Sequence, residues 1–388
     1  MSHYWQFVVI SGVGSALLTV MAMHISLRPW RRSAGAHWTE RARLLWPARR
    51  AIIGIVVSCM ITADMVPRLL KWDWAQATSL WPVIFGTLAG TFVSSREIEP
   101  RYTLTVWAQD TFWKLVAQFG VLALFLWQVW AMPEDPQWKD WVSFGAALAG
   151  VLVIATGVWL PVVDKLIPSK VSPDGRWERL VDEVSRESGV FPRRIYFADS
   201  PMANAGALPF LDSLVVTSRA LEVLDDGELC GVIRHELAHL KEPRAVQLAR
   251  FIPSVAFMGF ALGKPVHHHF GYAGFLALAA VILLSLRATR HFARRMESHA
   301  DAAAIESAAD TTKYAHALEK LYIVNQVPAV MRNSSATHPH LYDRMVAAGV
   351  TPDYPRPAPP GLMAWPGWVM FILPVLTLVA VVLWRRLA

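Results

Sequence analysis

Apolar runs long enough to cross a bilayer recur along this chain. They fall at residues 5–27, 51–70, 77–95, 111–132, 141–163, 245–263, 272–288 and 366–384. About 20 apolar residues cross the hydrocarbon core as a helix. A helix satisfies its own backbone hydrogen bonds in lipid, where loops and open strands do not. The runs therefore restrict the fold to helical spans, plus whatever the polar stretches between them build. Composition agrees: 54% of the 388 residues are hydrophobic and only 17% are charged, against roughly 25% in a soluble domain.

The net charge of +7 comes from arginines placed beside these runs, among them Arg28, Arg31, Arg32, Arg41, Arg43, Arg49 and Arg50 after the first, and Arg287, Arg290, Arg294 and Arg295 after the seventh. Such placement reads as a topology determinant and not as a nucleic-acid surface. It predicts an outside N-terminus, a basic cytoplasmic loop over 28–50, and a cytoplasmic polar region after residue 163. The terminal run ends in Arg385 and Arg386, against the charge rule if that run crosses. No small-residue cleavage site follows the first run, so it is expected to stay as a signal anchor. The two cysteines, Cys59 and Cys230, imply neither a disulfide framework nor a cysteine zinc site.

From 164 to 243 the composition becomes that of a soluble domain. Trp177, Leu180, Val181 and Val184 recur at helical spacing over 174–189, and Gly189 reads as the C-cap. Two short strand-like runs follow, 193–198 and 213–217. The stretch between them, Met202 to Ala207 with Asn204 and Ala205 at its centre, is small and flexible. It reads equally as an ordinary hairpin loop or as the border of an active site, where an extended peptide adds to a sheet edge.

The next polar stretch carries His235-Glu236-Leu237-Ala238-His239. Histidines four apart on a helix share one face, one turn above each other. Both rings then reach one metal ion, and the intervening glutamate can act as base toward a metal-bound water. This is the spacing of a zinc peptidase helix. Asp225 and Glu228 read as a capping box opening the helix. Leu229, Val232, Ile233, Leu237 and Leu240 form its apolar stripe, and Pro243 closes it.

A site of this kind needs a third protein ligand, with water at the fourth position. Glu297, on an alanine-rich predicted helix over 291–309, is the best candidate, and Asp301 sits four residues on, on the same face. Asp301 is placed to hydrogen-bond a ligating imidazole. His299 competes but points about 200° round the helix from Glu297. His267, His268 and His269 lie at the turn between two apolar runs, on the far side of the membrane from His235 if both runs span. Beyond a further helix over 312–326, a loop carries His338-Pro339, with Arg344 six residues after the histidine. Such a pair can stabilise the oxyanion of a tetrahedral intermediate; the bland reading is a surface loop.

The order of these features resembles the integral-membrane zinc peptidases that include the CAAX prenyl protease and the heat-shock protease HtpX. The resemblance covers roughly residues 170–350. It implies that His235, His239 and Glu297 are the ligands of one zinc per chain and that Glu236 is the catalytic base. It further implies that Asn204 and Ala205 bind substrate, that Asp301 lies behind a ligand, and that His338 and Arg344 belong to the active-site loop.

The expected fold is mainly α: a multispan helical membrane protein with a gluzincin-like metallopeptidase domain holding a small β-hairpin or sheet. The expected layout is a membrane region of about five spans over 1–163, then a peptidase domain over 164–351 interrupted by a membrane hairpin at 245–288. A proline-rich linker over 352–365 and a terminal span over 366–388 complete it. The expected function is zinc-dependent hydrolysis of peptide bonds in membrane or membrane-proximal proteins by a Glu-activated zinc-bound water. The expected location is the bacterial inner membrane, catalytic domain inside. Partners are protein or peptide substrates and the lipid bilayer, with no nucleic acid. The alternative is a non-catalytic transporter or signalling protein with a vestigial or structural zinc site.

Overall fold

The structure, a computed structural model, describes residues 3–69, 81–116, 120–161, 175–306, 311–332 and 339–387. Helices dominate and one small sheet accompanies them, as the fold class requires. In chain order the first helices are α1 (His3–Ser26), α2 (Arg28–Arg32), α3 (Trp38–Leu69), α4 (Trp81–Ile98), α5 (Leu104–Lys114), α6 (Gly120–Ala131) and α7 (Trp138–Thr156). Then come α8 (Arg176–Ser188), β1 (Arg194–Ala198), β2 (Ala205–Leu208), β3 (Ser213–Thr217), α9 (Ser218–Val223) and α10 (Asp226–Lys241). The rest is α11 (Arg244–Ala249), α12 (Ile252–Gly259), α13 (Gly263–Glu306), α14 (Thr311–Asn325), α15 (Leu341–Ala347) and α16 (Trp365–Leu387).

Among the described residues, four helical stretches are long and apolar enough to cross a membrane: Tyr4–Arg32, Trp38–Ile61, Trp138–Thr156 and Arg244–Ile305. Their outward faces carry large exposed apolar side chains, including Ile10 and Leu17 on α1, Val142 on α7, and Leu276 and Leu284 on α13. Water disfavours so continuous an apolar surface, and lipid accepts it.

The chain divides into two compact units. One holds residues 1–107, 325–334 and 354–388. In it Phe7, Met23, Ile55, Cys59 and Val83 are buried together between α1, α3 and α4. The predicted basic loop over 28–50 is here mostly helical, formed by α2 and the first turns of α3. Its apolar residues explain why: Leu27, Trp30, Leu45 and Ala48 bury one face, and Arg43 pairs with Glu40 one turn away on α3.

The other unit holds residues 108–324 and 335–353. Its polar half is built on a single core. Trp177, Leu180, Val181 and Val184 from α8 meet Leu214 and Val216 of β3 and Leu229, Val232, Ile233 and Leu237 of α10. Gly189 ends α8 at φ 70°, as its position predicts. The two predicted strands are present as β1 and β3, but they pair in parallel, Arg194 opposite Ser213, and do not form a hairpin. The stretch between them is long enough to carry the chain back to the start of β3. On the way it lays β2 antiparallel along the other side of β3, giving the order β1-β3-β2 with β2 at an edge.

A helical hairpin with its turn at Gly271 is also in this unit. Its first leg is broken at Arg250 and Phe251, between α11 and α12, where Pro253 opens the second piece. Gly271, at φ 61°, makes the turn within α13. The legs run antiparallel, with Gly259 facing Ile282 and Gly263 facing Phe275. Met258 packs on Ala147 and Val151 of α7. After the turn α13 continues unbroken to Glu306, so the returning leg and the stretch carrying Glu297 and Asp301 are one helix.

Candidate metal centre

α10 opens with the predicted capping box: the Asp225 carboxylate accepts from Glu228 N–H at 2.9 Å, and Glu228 Oε2 accepts from Asp225 N–H at 2.8 Å. Burial of its apolar stripe in the core fixes which way the opposite side chains face. His235 and His239 are then presented one turn apart, 6% and 5% exposed, with Glu297 of α13 at 9%.

These three residues converge. His235 Nε2 lies 3.6 Å from Glu297 Oε2, and His239 Nε2 lies 3.6 Å from Glu297 Oε1. One donor atom from each falls within 4.8 Å of the others. The spacing is long for hydrogen bonds. It suits ligands of one ion: two ligands about 2.0–2.1 Å from a tetrahedral zinc stand roughly 3.4 Å apart. Two imidazoles and a carboxylate are also a donor set that zinc takes with one position left open. Burial alone lowers the His235 pKa, but the neighbouring Asp301 and Glu297 carboxylates outweigh that and push it up to about 9. The centre is thus an electron-rich pocket that favours a cation.

Each imidazole is held from behind by its Nδ1. His235 Nδ1 lies 2.7 Å from the Tyr314 hydroxyl and 3.1 Å from Asp301 Oδ1. Tyr314 donates to Asp301 Oδ1 at 2.7 Å, and so accepts from His235. Burial raises the Tyr314 pKa well above the ordinary range, which keeps it a phenol. Arg344 of α15 grips Asp301 with two hydrogen bonds, at 2.8 and 2.6 Å, and donates to Tyr314 at 2.7 Å. His239 Nδ1 lies 2.7 Å from Glu242 Oε1, and Arg250 Nη2 donates to both Glu242 oxygens at 2.7 Å.

Glu236 is half-buried beside the histidines, and its Oε2 accepts the backbone N–H of Ala207 at 2.7 Å. The stretch over 202–207 therefore ends in an edge strand, entered at Ala205, that touches Glu236 through Ala207. Ala205 opens β2, and Asn204 just before it is exposed, its backbone tied to Thr217.

The structure brings His235, Glu236, His239, Glu297 and Asp301 together. Arg344 is buried on the Nδ1 side of His235, its guanidinium committed to Asp301 and Tyr314, so it backs the histidine and does not face the side where the Nε2 atoms converge. His338 lies outside the described residues. His299 is exposed, as the helical period requires. His268 and His269 form loose pairs with Glu134 and Asp135, at 3.6 and 3.8 Å. Three residues of the site escaped the sequence reading: Tyr314, Glu242 and Arg250. Glu242 carried a signal, being one turn after His239.

The family model described as peptidase family M48 matches residues 172–349. The protease HtpX homolog of Dictyoglomus thermophilum is 31% identical over 204 residues, 43% of this chain and 66% of that protein. The HtpX homolog of Acidiphilium cryptum is 27% identical over 204 residues, covering 47% and 71%. That of Aquifex aeolicus is 35% identical over 94 residues, covering 23% and 30%. The chain thus spans about two thirds of the first of these relatives.

Proposed function

We propose, from the match of residues 172–349 to peptidase family M48, that the protein is an integral-membrane zinc endopeptidase acting on membrane or membrane-proximal proteins. The observation that carries this reading is the convergence of His235, His239 and Glu297, with Glu236 beside them and fastened to a sheet edge. His235, His239 and Glu297 would hold one zinc. When bound, zinc supplies Lewis acidity to polarise the scissile carbonyl and lower the pKa of water toward about 7.

The other roles belong to the chain. An extended substrate segment adds to the outer edge of β2 beside the Ala207–Glu236 bond, so that main-chain hydrogen bonds hold it and the exposed Asn204 meets its flank. Ala205 lies two residues before Ala207, so its backbone groups point to the same edge. Glu236 takes a proton from the attacking water and returns it to the leaving amine. Ala207 N–H fixes one oxygen of that carboxylate. Asp301 and Tyr314, held by Arg344, set the orientation of His235. His338 is the candidate donor to the oxyanion. The peptidase domain takes residues 164–351 with the hairpin 245–288 inserted, and sits on the cytoplasmic side of a bacterial inner membrane. The spans over 1–163 and 366–388 flank it, the latter reached through the linker over 352–365. Because α11 starts three residues after the metal helix ends, the site lies close to the membrane surface.

The test is zinc content and cleavage of a membrane-protein substrate in detergent, wild type against Glu236→Gln. Equal zinc with cleavage lost in the variant, and wild-type cleavage abolished by a chelator and restored by zinc, is the expected result. Zinc in both with cleavage in neither, across a broad substrate panel, would leave a structural or vestigial site.

A further inference from the structure

Behind His239 stands an ion pair that the peptidase reading leaves unused. Glu242 caps the C-terminal end of α10, three residues after the histidine. Its Oε1 lies 2.7 Å from His239 Nδ1, and Arg250 Nη2 donates to both its oxygens at 2.7 Å. Arg250 Nη2 is also 3.0 Å from that same Nδ1. An ionised carboxylate only accepts, so at 2.7 Å Nδ1 donates its proton to Glu242 Oε1, and the Arg250 guanidinium, itself only a donor, comes close to Nδ1 because both bind the same carboxylate. The turn itself is closed by side chains: Gln247 Nε2 donates to Glu242 O at 3.0 Å, and Arg244 donates to Gln247 Oε1 at 2.9 Å. His235 has a parallel construction in Asp301 and Arg344. The difference lies in where the cation is rooted. Arg250 is the residue immediately before Phe251 and α12, at the break in the hairpin's first leg.

We propose that Glu242 and Arg250 are positioning residues for the metal. Glu242 fixes His239 as the Nδ1–H tautomer with Nε2 aimed at the ion, and Arg250 holds Glu242 in place from the membrane leg. This rests on the metal-centre reading above. A neutral imidazole ligates only through the nitrogen without a proton. An imidazole with no acceptor behind Nδ1 divides its population between tautomers and ring orientations, and most of these cannot bind. A carboxylate behind the ring also raises its basicity as a ligand.

The test uses the full-length protein purified in detergent, with zinc affinity measured by competition against a chromophoric chelator and with the melting temperature of the metal-free form. Glu242→Ala is expected to weaken zinc binding by about 10- to 100-fold. Glu242→Gln, which keeps an acceptor for Nδ1–H but loses the ion pair, and Arg250→Gln should each weaken it several-fold. The double variant Glu242→Ala with Arg250→Gln should bind no more weakly than Glu242→Ala alone, because Arg250 acts through Glu242. Should Glu242→Ala not fold, Glu242→Gln is read in its place, and an unchanged affinity there overturns the proposal. A lowered metal-free melting temperature with unchanged zinc affinity marks a merely structural ion pair and overturns it too. Additive losses in the double variant overturn the relay from Arg250. Zinc affinity that follows this pattern in a protein that cleaves nothing overturns the peptidase reading alone, while a wild type that takes up no zinc overturns the centre and the clamp together.

Discussion

The backbone N–H of Ala207 donates to the Glu236 carboxylate across 2.7 Å, joining the edge strand β2 to the residue after the first metal-site histidine. A hydrogen bond to a charged group contributes about 1.5–3 kcal/mol. This one commits one oxygen of Glu236 and orients the other. Proline is tolerated at sheet edges, where its missing N–H breaks no ladder bond. Ala207→Pro is therefore expected to keep zinc at wild-type stoichiometry while kcat falls by roughly 10- to 100-fold. Steady-state cleavage alongside metal analysis checks this. A wild-type kcat in the variant would show that Glu236 is oriented by something else.

Arg344 separates two roles by experiment. If it faced the reacting carbonyl, Arg344→Met would lower kcat and leave zinc affinity and stability alone. Its hydrogen bonds to Asp301 and Tyr314 predict otherwise. Removing the cation leaves the Asp301 carboxylate buried and unpaired, a loss of about 3–5 kcal/mol for a buried pair. The expected outcome is a lower melting temperature of the metal-free protein and weaker zinc binding together. Arg344→Lys should recover only part of both, because an ammonium cannot make the two-pronged contact. Thermal melts and zinc titration of the three proteins decide between the roles.

The parts of the site that sequence revealed are those set by one helix's own geometry. His235 and His239 need only the rise of α10, and Asp225 with Glu228 needs only its first turn. Glu297 and Asp301 were found because a donor was missing and a second helix offered two acids on one face. Tyr314 and Arg250 had no such signal. Tyr314 reaches the site through packing between elements distant in sequence, and Arg250 through the turn of the chain that follows α10; as isolated residues they look like any core tyrosine or interfacial arginine. β2 was missed for a related reason. Ala205-Gly206-Ala207-Leu208 has no β-branched or aromatic residue, and becomes a strand because the edge of β3 offers it partners. In the basic stretch over 28–50 charge marks the topology, while the apolar residues between the arginines decide the helix.

Gly231 marks where α10 and α14 touch. A Cβ there would stand 3.1 Å from both Cα and Cβ of Tyr314, closer than van der Waals contact, against backbone that does not yield easily. Gly231→Val is expected to push the helices apart at a cost of about 1–3 kcal/mol, and to pull the Tyr314 hydroxyl off His235 Nδ1. Stability and zinc affinity should both fall, more than in Tyr314→Phe, which removes the hydroxyl alone. Equal zinc affinity in Gly231→Val and wild type would mean that the Tyr314 bond does not help to hold His235.

Asp225 gives a pH-dependent contribution with a defined sign. Its carboxyl is held below the ordinary range, first by the hydrogen bond from Glu228 N–H and further by Lys313 and Lys320. A depressed folded pKa means that the stabilisation is complete above the unfolded value, near 3.9 for an aspartate. It is lost as the pH falls through the lower, folded value. Asp225→Ala should therefore cost about 1 kcal/mol at neutral pH through the lost cap, and the cost should shrink in acid as wild type loses the same interaction. Asp225→Asn keeps an acceptor for the cap but has no charge to titrate. It should lie between the two at neutral pH and show a flatter acid limb than wild type. Chemical denaturation of the metal-free protein across the acid range measures both. A difference between wild type and Asp225→Ala that grows on acidification would reverse the sign and sink the assignment of this carboxylate as the cap.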